Sequence, residues 1–150
     1  MAGSLKDSFE TDLLELIFEN TDCANIGDGT GLRGSSTAGN FYVALYTVAP
    51  TDSAQGTEAD YTSYARQAIA RSGVGFDITT NNLSNASAVT FPECTGGTNT
   101  IVAFGICEAD VEDVDDGIIW GDIDDPAGGL AVSTGITPEF AANVLDVNID

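Results

Sequence analysis

The sequence predicts a mainly β protein: a compact antiparallel β-sandwich, jelly-roll-like, with one N-terminal amphipathic helix. Three observations carry that reading. Apolar residues recur at helical spacing only near the start of the chain, at Leu5, Phe9, Leu13, Leu16 and Ile17. From residue 41 the period shortens to two, in runs rich in β-branched and aromatic residues. Clusters of Gly, Asn and Pro cut those runs short, as in an antiparallel sandwich or small barrel. A chain of 150 residues that is 43% hydrophobic fits one domain with a real core. Its expected parts are a helix over 4–20, a Gly-rich loop over 22–40 and the sandwich over 41–150.

Each element has its own warrant. Leu14 and Phe18 widen the apolar face of the helix, and Ser4 followed by Asp7 resembles a capping box with Asp in place of Glu. NIGDGTGLRGSSTAGN (25–40) has five glycines and no apolar period, so it reads as a loop. FYVALYTV (41–48) is the strongest strand, and Pro50 ends it. Both of its faces are apolar, which predicts a central strand or one partly covered by another subunit. Further strands are expected at 64–70, 74–78, 87–91, 100–106, 117–121 and 144–149. TTNN (79–82), TGGTN (95–99) and DPAGG (125–129) supply turns. Alternation then predicts a core of Phe41, Val43, Leu45, Phe91, Phe104, Ile106, Trp120, Leu145 and Val147.

Charge excludes several functions. The chain has 24 acids, four bases and a net charge of −20. The bases, Lys6, Arg33, Arg66 and Arg71, form no patch in the sequence, so neither nucleic acid nor an anionic membrane is an expected partner. No apolar run reaches the ~20 residues of a membrane span, and the N-terminus does not read as a secretion signal. Cys23, Cys94 and Cys107, widely spaced in a chain without histidine, read as buried reduced thiols.

The residue patterns offer no reaction. Without histidine there is no Ser–His or Cys–His nucleophile. GDGTG (27–31) lacks the lysine and the strand-to-helix setting of a phosphate loop. ADVEDVDDGIIWGD (109–122) is dense in acids but fails the helix–loop–helix calcium pattern. With Gly117 at the sixth position, Val114 falls at the third and Ile123 at the twelfth. The reading is an exposed acidic hairpin loop of Asp110, Glu112, Asp113, Asp115 and Asp116, with Asp116-Gly117 supplying its positive-φ residues. No catalytic residue, cofactor or metal is expected, the rival to a solvated acidic turn being a looser calcium site built from loop carboxylates in 109–125.

Three segments carry a resemblance: FYVALYTVAPTDS (41–53), GTEADYTSYARQAIA (56–70) and NASAVTFPECTGGTNTIVAFGICEAD (85–110). Their order and spacing, followed by IIWG and PEFAANVLDV (138–147), resemble a family of small virion proteins of tailed bacteriophages often labelled phage tail fibre proteins. The resemblance covers about 41–150. The loop 22–40 is longer, and the hairpin before IIWG more acidic, than that family's pattern. It implies a non-enzymatic structural protein of the virion, assembled in the host cytoplasm.

Within the particle, small size, the lack of a repetitive shaft and a charge that packaged DNA would repel favour an outer capsid decoration or cement protein. A tail or tail-fibre component meeting the host is the rival, and a carbohydrate-binding module using Trp120 or a tyrosine is a third reading. The expected partners are further copies of the chain, as a homotrimer, and the major capsid protein, or else other tail proteins. Candidate interface residues are Leu5, Phe9, Leu13, Leu16 and Ile17 on the helix, Tyr42 and Tyr46 on the first strand, and Arg33, Arg66 and Arg71 pairing with acids at the rim.

Overall fold

A computed structural model describes residues 5–24, 26–27, 31–124 and 126–149. The elements in chain order are α1 (Asp7–Leu14), a π-helical segment (Glu15–Glu19), β1 (Asn40–Val48), β2 (Thr57–Glu58), β3 (Gln67–Ala70), β4 (Phe76–Thr79), β5 (Asn82–Asn85), β6 (Val89–Thr90), β7 (Thr98–Ile101), β8 (Ala103–Cys107), β9 (Gly117–Asp122), β10 (Leu130–Ser133), β11 (Glu139–Phe140) and β12 (Asp146–Asn148). The mainly β, antiparallel class with one N-terminal helix is the observed one. The chain divides into two units. One comprises Met1–Asn40, Ala70–Ser87 and Ala142–Asp150; the other comprises Phe41–Ile69 and Ala88–Ala141.

In the first unit the helix is shorter than its apolar period suggests. α1 ends at Leu14, and a wider π turn carries the chain to Asn20, which adopts a left-handed conformation (φ 61°). Lys6 holds the N-cap position with no side-chain cap; the expected capping box involves Ser4, which lies outside the described residues. The orphan carbonyls at the other end find a partner in Arg71. Its guanidinium donates to the carbonyls of Ile17 and Leu16, the latter at 2.6 Å. Leu14 and Phe18 are buried, and the Phe18 ring meets Phe76 edge-on at 5.2 Å.

β12, β5 and β4 form a three-stranded sheet in that order. Thr79 pairs with Asn82, so Thr80 and Asn81 make the tight turn, with Thr80 at φ 60°. The expected turn at 79–82 is there, but Asn82 already belongs to β5. The buried Asn85 side chain accepts from the N–H groups of Val144 and Leu145 and donates to the carbonyl of Ser87. A side-chain amide thus ties the return segment to the sheet.

In the second unit β1 is the central strand of a five-stranded sheet. β2, β3 and β8 pair with it, and β9 closes the path beyond β8. Val43, Ala44, Leu45 and Tyr46 are all buried, so the chain itself covers both faces of β1 here. The expected run 100–106 is two strands rather than one. β7 pairs with β10, β8 pairs with β1 and β9, and the chain changes partners at the half-buried Val102. β6 and β11 form a short ribbon. Tyr61, Tyr64, Phe91 and Phe140 form a chain of ring contacts with centroids 5.4 to 6.3 Å apart.

Of the expected core, Val43, Leu45, Phe91, Phe104, Ile106 and Leu145 are buried. Phe41, Trp120 and Val147 are only half-buried. Trp120 falls short because β9, among the described residues, is an edge strand paired with β8 alone. The three cysteines are free and buried, as expected.

Candidate functional site

The acidic loop between β8 and β9 rests on a buried charge network, and Arg66 is its centre. The Arg66 side chain is fully buried, those of Glu58 and Asp116 nearly so. Nε and Nη2 donate to the two oxygens of Glu58 at 3.0 and 3.1 Å, a paired fork that suits a planar guanidinium. Nη1 donates to Asp116 Oδ1 at 2.9 Å and to the Ala109 carbonyl at 2.8 Å, and Nη2 to the Val114 carbonyl at 3.3 Å. One cation therefore holds both ends of the loop.

The carboxylates are occupied in turn. Glu58 accepts from Tyr64 Oη at 2.7 Å and from the Asp113 N–H at 2.9 Å, and Asp116 accepts from the Ala109 N–H at 2.8 Å. Tyr64 Oη accepts from the Leu45 N–H at 2.9 Å, linking the network to β1. Asp113 takes the left-handed conformation (φ 57°) that lets its N–H point inward. Burial opposes the Arg66 charge, but the hydrogen bonds to Glu58 and Asp116 outweigh it and raise the pKa above the ordinary arginine value. Burial first, then the neighbouring Glu58, pushes the Tyr64 phenol up. Burial likewise pushes the Cys107 thiol up to about 11.

The loop itself is thus partly as expected and partly not. Asp110, Glu112, Asp113 and Asp115 are exposed. Asp116 is not a surface decoration: its carboxylate turns inward onto Arg66. The positive-φ residue is Asp113 rather than the Asp116-Gly117 pair. Among the described residues no three acids or thiols are grouped to hold a metal ion. A shallow depression of about 370 Å³ lies between the end of β9 and the 126–129 turn, lined by Val102, Asp122, Ile123, Asp124, Ala127, Gly128 and Gly129.

The candidate interface residues scatter. On the helix, Leu5 and Ile17 are exposed and Phe9, Leu13 and Leu16 half-buried. Tyr42 is half-buried, but Tyr46 lies inside the second unit, its hydroxyl against Cys107 Sγ at 3.6 Å. Tyr46 and Arg66 are therefore interior groups, since each fills a site whose partners lie within the same unit. Arg33 is exposed and pairs with Asp22 at 2.6 Å. Arg71 serves the helix end. Sequence reasoning missed the Glu58–Arg66–Asp116 network. The signal was there: Glu58, Tyr64 and Arg66 all stand in the quoted segment GTEADYTSYARQAIA. An arginine in a strand-like apolar run, with few bases elsewhere, is a residue that needs buried partners.

The chain belongs to the family described as Podophage GP4 fiber I protein gp80, whose model matches residues 5–147. It is accordingly a structural protein of a bacteriophage virion, of the fibre type. No curated protein matches the chain.

Proposed function

We propose that the protein is a non-enzymatic component of a phage tail fibre or its attachment, with the Arg66-anchored loop as a presenting element. The family description, which names a podophage fibre protein, supports the tail over the capsid exterior expected from size and charge. The observation that carries a presenting role is the anchored loop. Ordering exposed residues such as Asp110, Val111, Glu112 and Asp115 costs conformational entropy, and the buried network offsets that cost before any partner arrives.

The experiment is to separate virions into tail-less heads and free tails, and to probe each with an antibody raised against the purified chain. Signal in the tails alone is the expected result. Signal on the heads, in a regular lattice by electron microscopy, returns the protein to the capsid as a decoration protein.

A further inference from the structure

We infer that β9 and the loop leading into it form a docking edge for an extended basic segment of another protein, added as a further strand to the five-stranded sheet. β9 spans six residues and, among the described residues, pairs with β8 alone, so no further described strand lies on its outer edge. Ile106 pairs with Ile119 and Cys107 with Gly117, which leaves Ile118 as the extra residue of a bulge. Ile118 is 37% exposed, and in the preceding loop Val111 and Val114 are 53% and 41% exposed. Ile118 thus lies on the edge strand itself, and Val111 and Val114 in the preceding loop that Arg66 already holds in one conformation.

Charge selects the occupant. Asp110, Glu112, Asp113 and Asp115 flank the apolar residues on one side, and Asp122 and Asp124 on the other, all exposed. A second copy of the chain fits poorly. It carries a net charge of −20, and its arginines are engaged: Arg33 with Asp22, Arg66 in the buried network, Arg71 with helix carbonyls. The same acids that keep copies from pairing edge to edge would attract a strand with alternating basic and apolar residues. Main-chain hydrogen bonds would supply the pairing, and Ile118 with the two valines a surface for its apolar side chains. This surface does not depend on whether the protein sits in the tail or on the head.

The test uses the purified chain and capped synthetic peptides: alternating Lys-Val of six residues, its backbone N-methylated version, alternating Glu-Val, and hexalysine. Trp120, the single tryptophan, lies in β9 and reports binding by fluorescence; backbone amide spectra locate it. The Lys-Val peptide should bind at least about tenfold more tightly than hexalysine or the N-methylated peptide, with shifts centred on 109–122, and Glu-Val should not bind. Ile118→Asp should weaken binding by about tenfold although it adds negative charge, with an unchanged melting temperature. Equal binding of hexalysine would reduce the effect to bulk charge. Equal binding of the N-methylated peptide, shifts elsewhere, or no Lys-Val binding would each overturn the proposal; the N-methylated peptide decides the strand pairing even if the variant fails to fold.

Discussion

Arg66 shows how much rests on one residue in a chain with four bases. Truncating it leaves Glu58 and Asp116 as buried charges with no counter-ion, so Arg66→Ala should cost about 3–5 kcal/mol of stability, measured by denaturant unfolding. Arg66→Lys should recover only part, because a point charge cannot span two carboxylates and two carbonyls. The combined Arg66→Met, Glu58→Leu, Asp116→Asn variant removes the uncompensated charges and should regain part of the stability, since Tyr64 Oη and the Asp113 N–H lose their acceptor, while amides of 109–115 exchange faster. If those amides stay as protected as in the parent, the network does not hold the loop. The same interior sets an alkaline limit. Burial pushes the Cys107 thiol up to about 11 and the Tyr61 phenol up to about 12, and raises Tyr46 and Tyr64 above the ordinary tyrosine value. The folded state therefore keeps these protons where the unfolded chain releases them. Stability from these groups is fully present below pH about 9 and is lost as pH rises from there towards 11 and beyond. Thermal melts across pH 7 to about 11 test it; a flat profile above pH 9 would mean the groups are solvated.

Among the elements, the ones legible in the sequence are those whose apolar period is long. β1 was readable because the eight residues 41–48, rich in β-branched and aromatic side chains, run without a breaker, and the residues at its centre, on both faces, proved to be buried. β5 (NLSN) was not, because Asn and Ser score as turn formers; its register is set by partners β4 and β12. β2 and β11 have two residues each, too few for any period. The helix was readable in place but not in form, since a π turn follows α1 and periodicity near 3.6 does not register the widening. The glycine of the FGI strand turns out to have a packing reason. A Cβ at Gly105 would lie 2.9 Å from Cε2 of the buried Tyr46 ring, across the β1–β8 pair. Gly105→Ala should therefore destabilise by about 1–3 kcal/mol through overpacking, in spite of alanine's better strand entropy. The companion change Tyr46→Leu in the same chain should relieve part of that loss. If Gly105→Ala leaves the melting temperature unchanged, the ring moves aside and the close fit of β8 on β1 is not what requires glycine.

For the whole molecule the governing quantity is the charge of −20, and the structure makes its effect harsher than the sequence suggests. The sequence left Arg33, Arg66 and Arg71 available to pair with acids of a neighbouring copy. Each instead has a partner in its own unit, and Arg66 is inaccessible. Two copies approaching one another thus bring many carboxylates and few cations to the rim. Repulsion between exposed like charges falls with ionic strength, since the screening length shortens from about 10 Å at 0.1 M to about 3 Å at 1 M salt. Both folding and self-association should therefore strengthen with salt. The melting temperature should rise by about 5 °C or more between about 0.05 and 1 M NaCl, and sedimentation should show any oligomer gaining population over the same range. Sodium and potassium chloride should act alike, because screening is not specific to one monovalent cation. Rising salt that dissociates the oligomer would mean that its contacts are ion pairs between copies, made by the exposed Lys6 or by arginines that leave the partners they hold here.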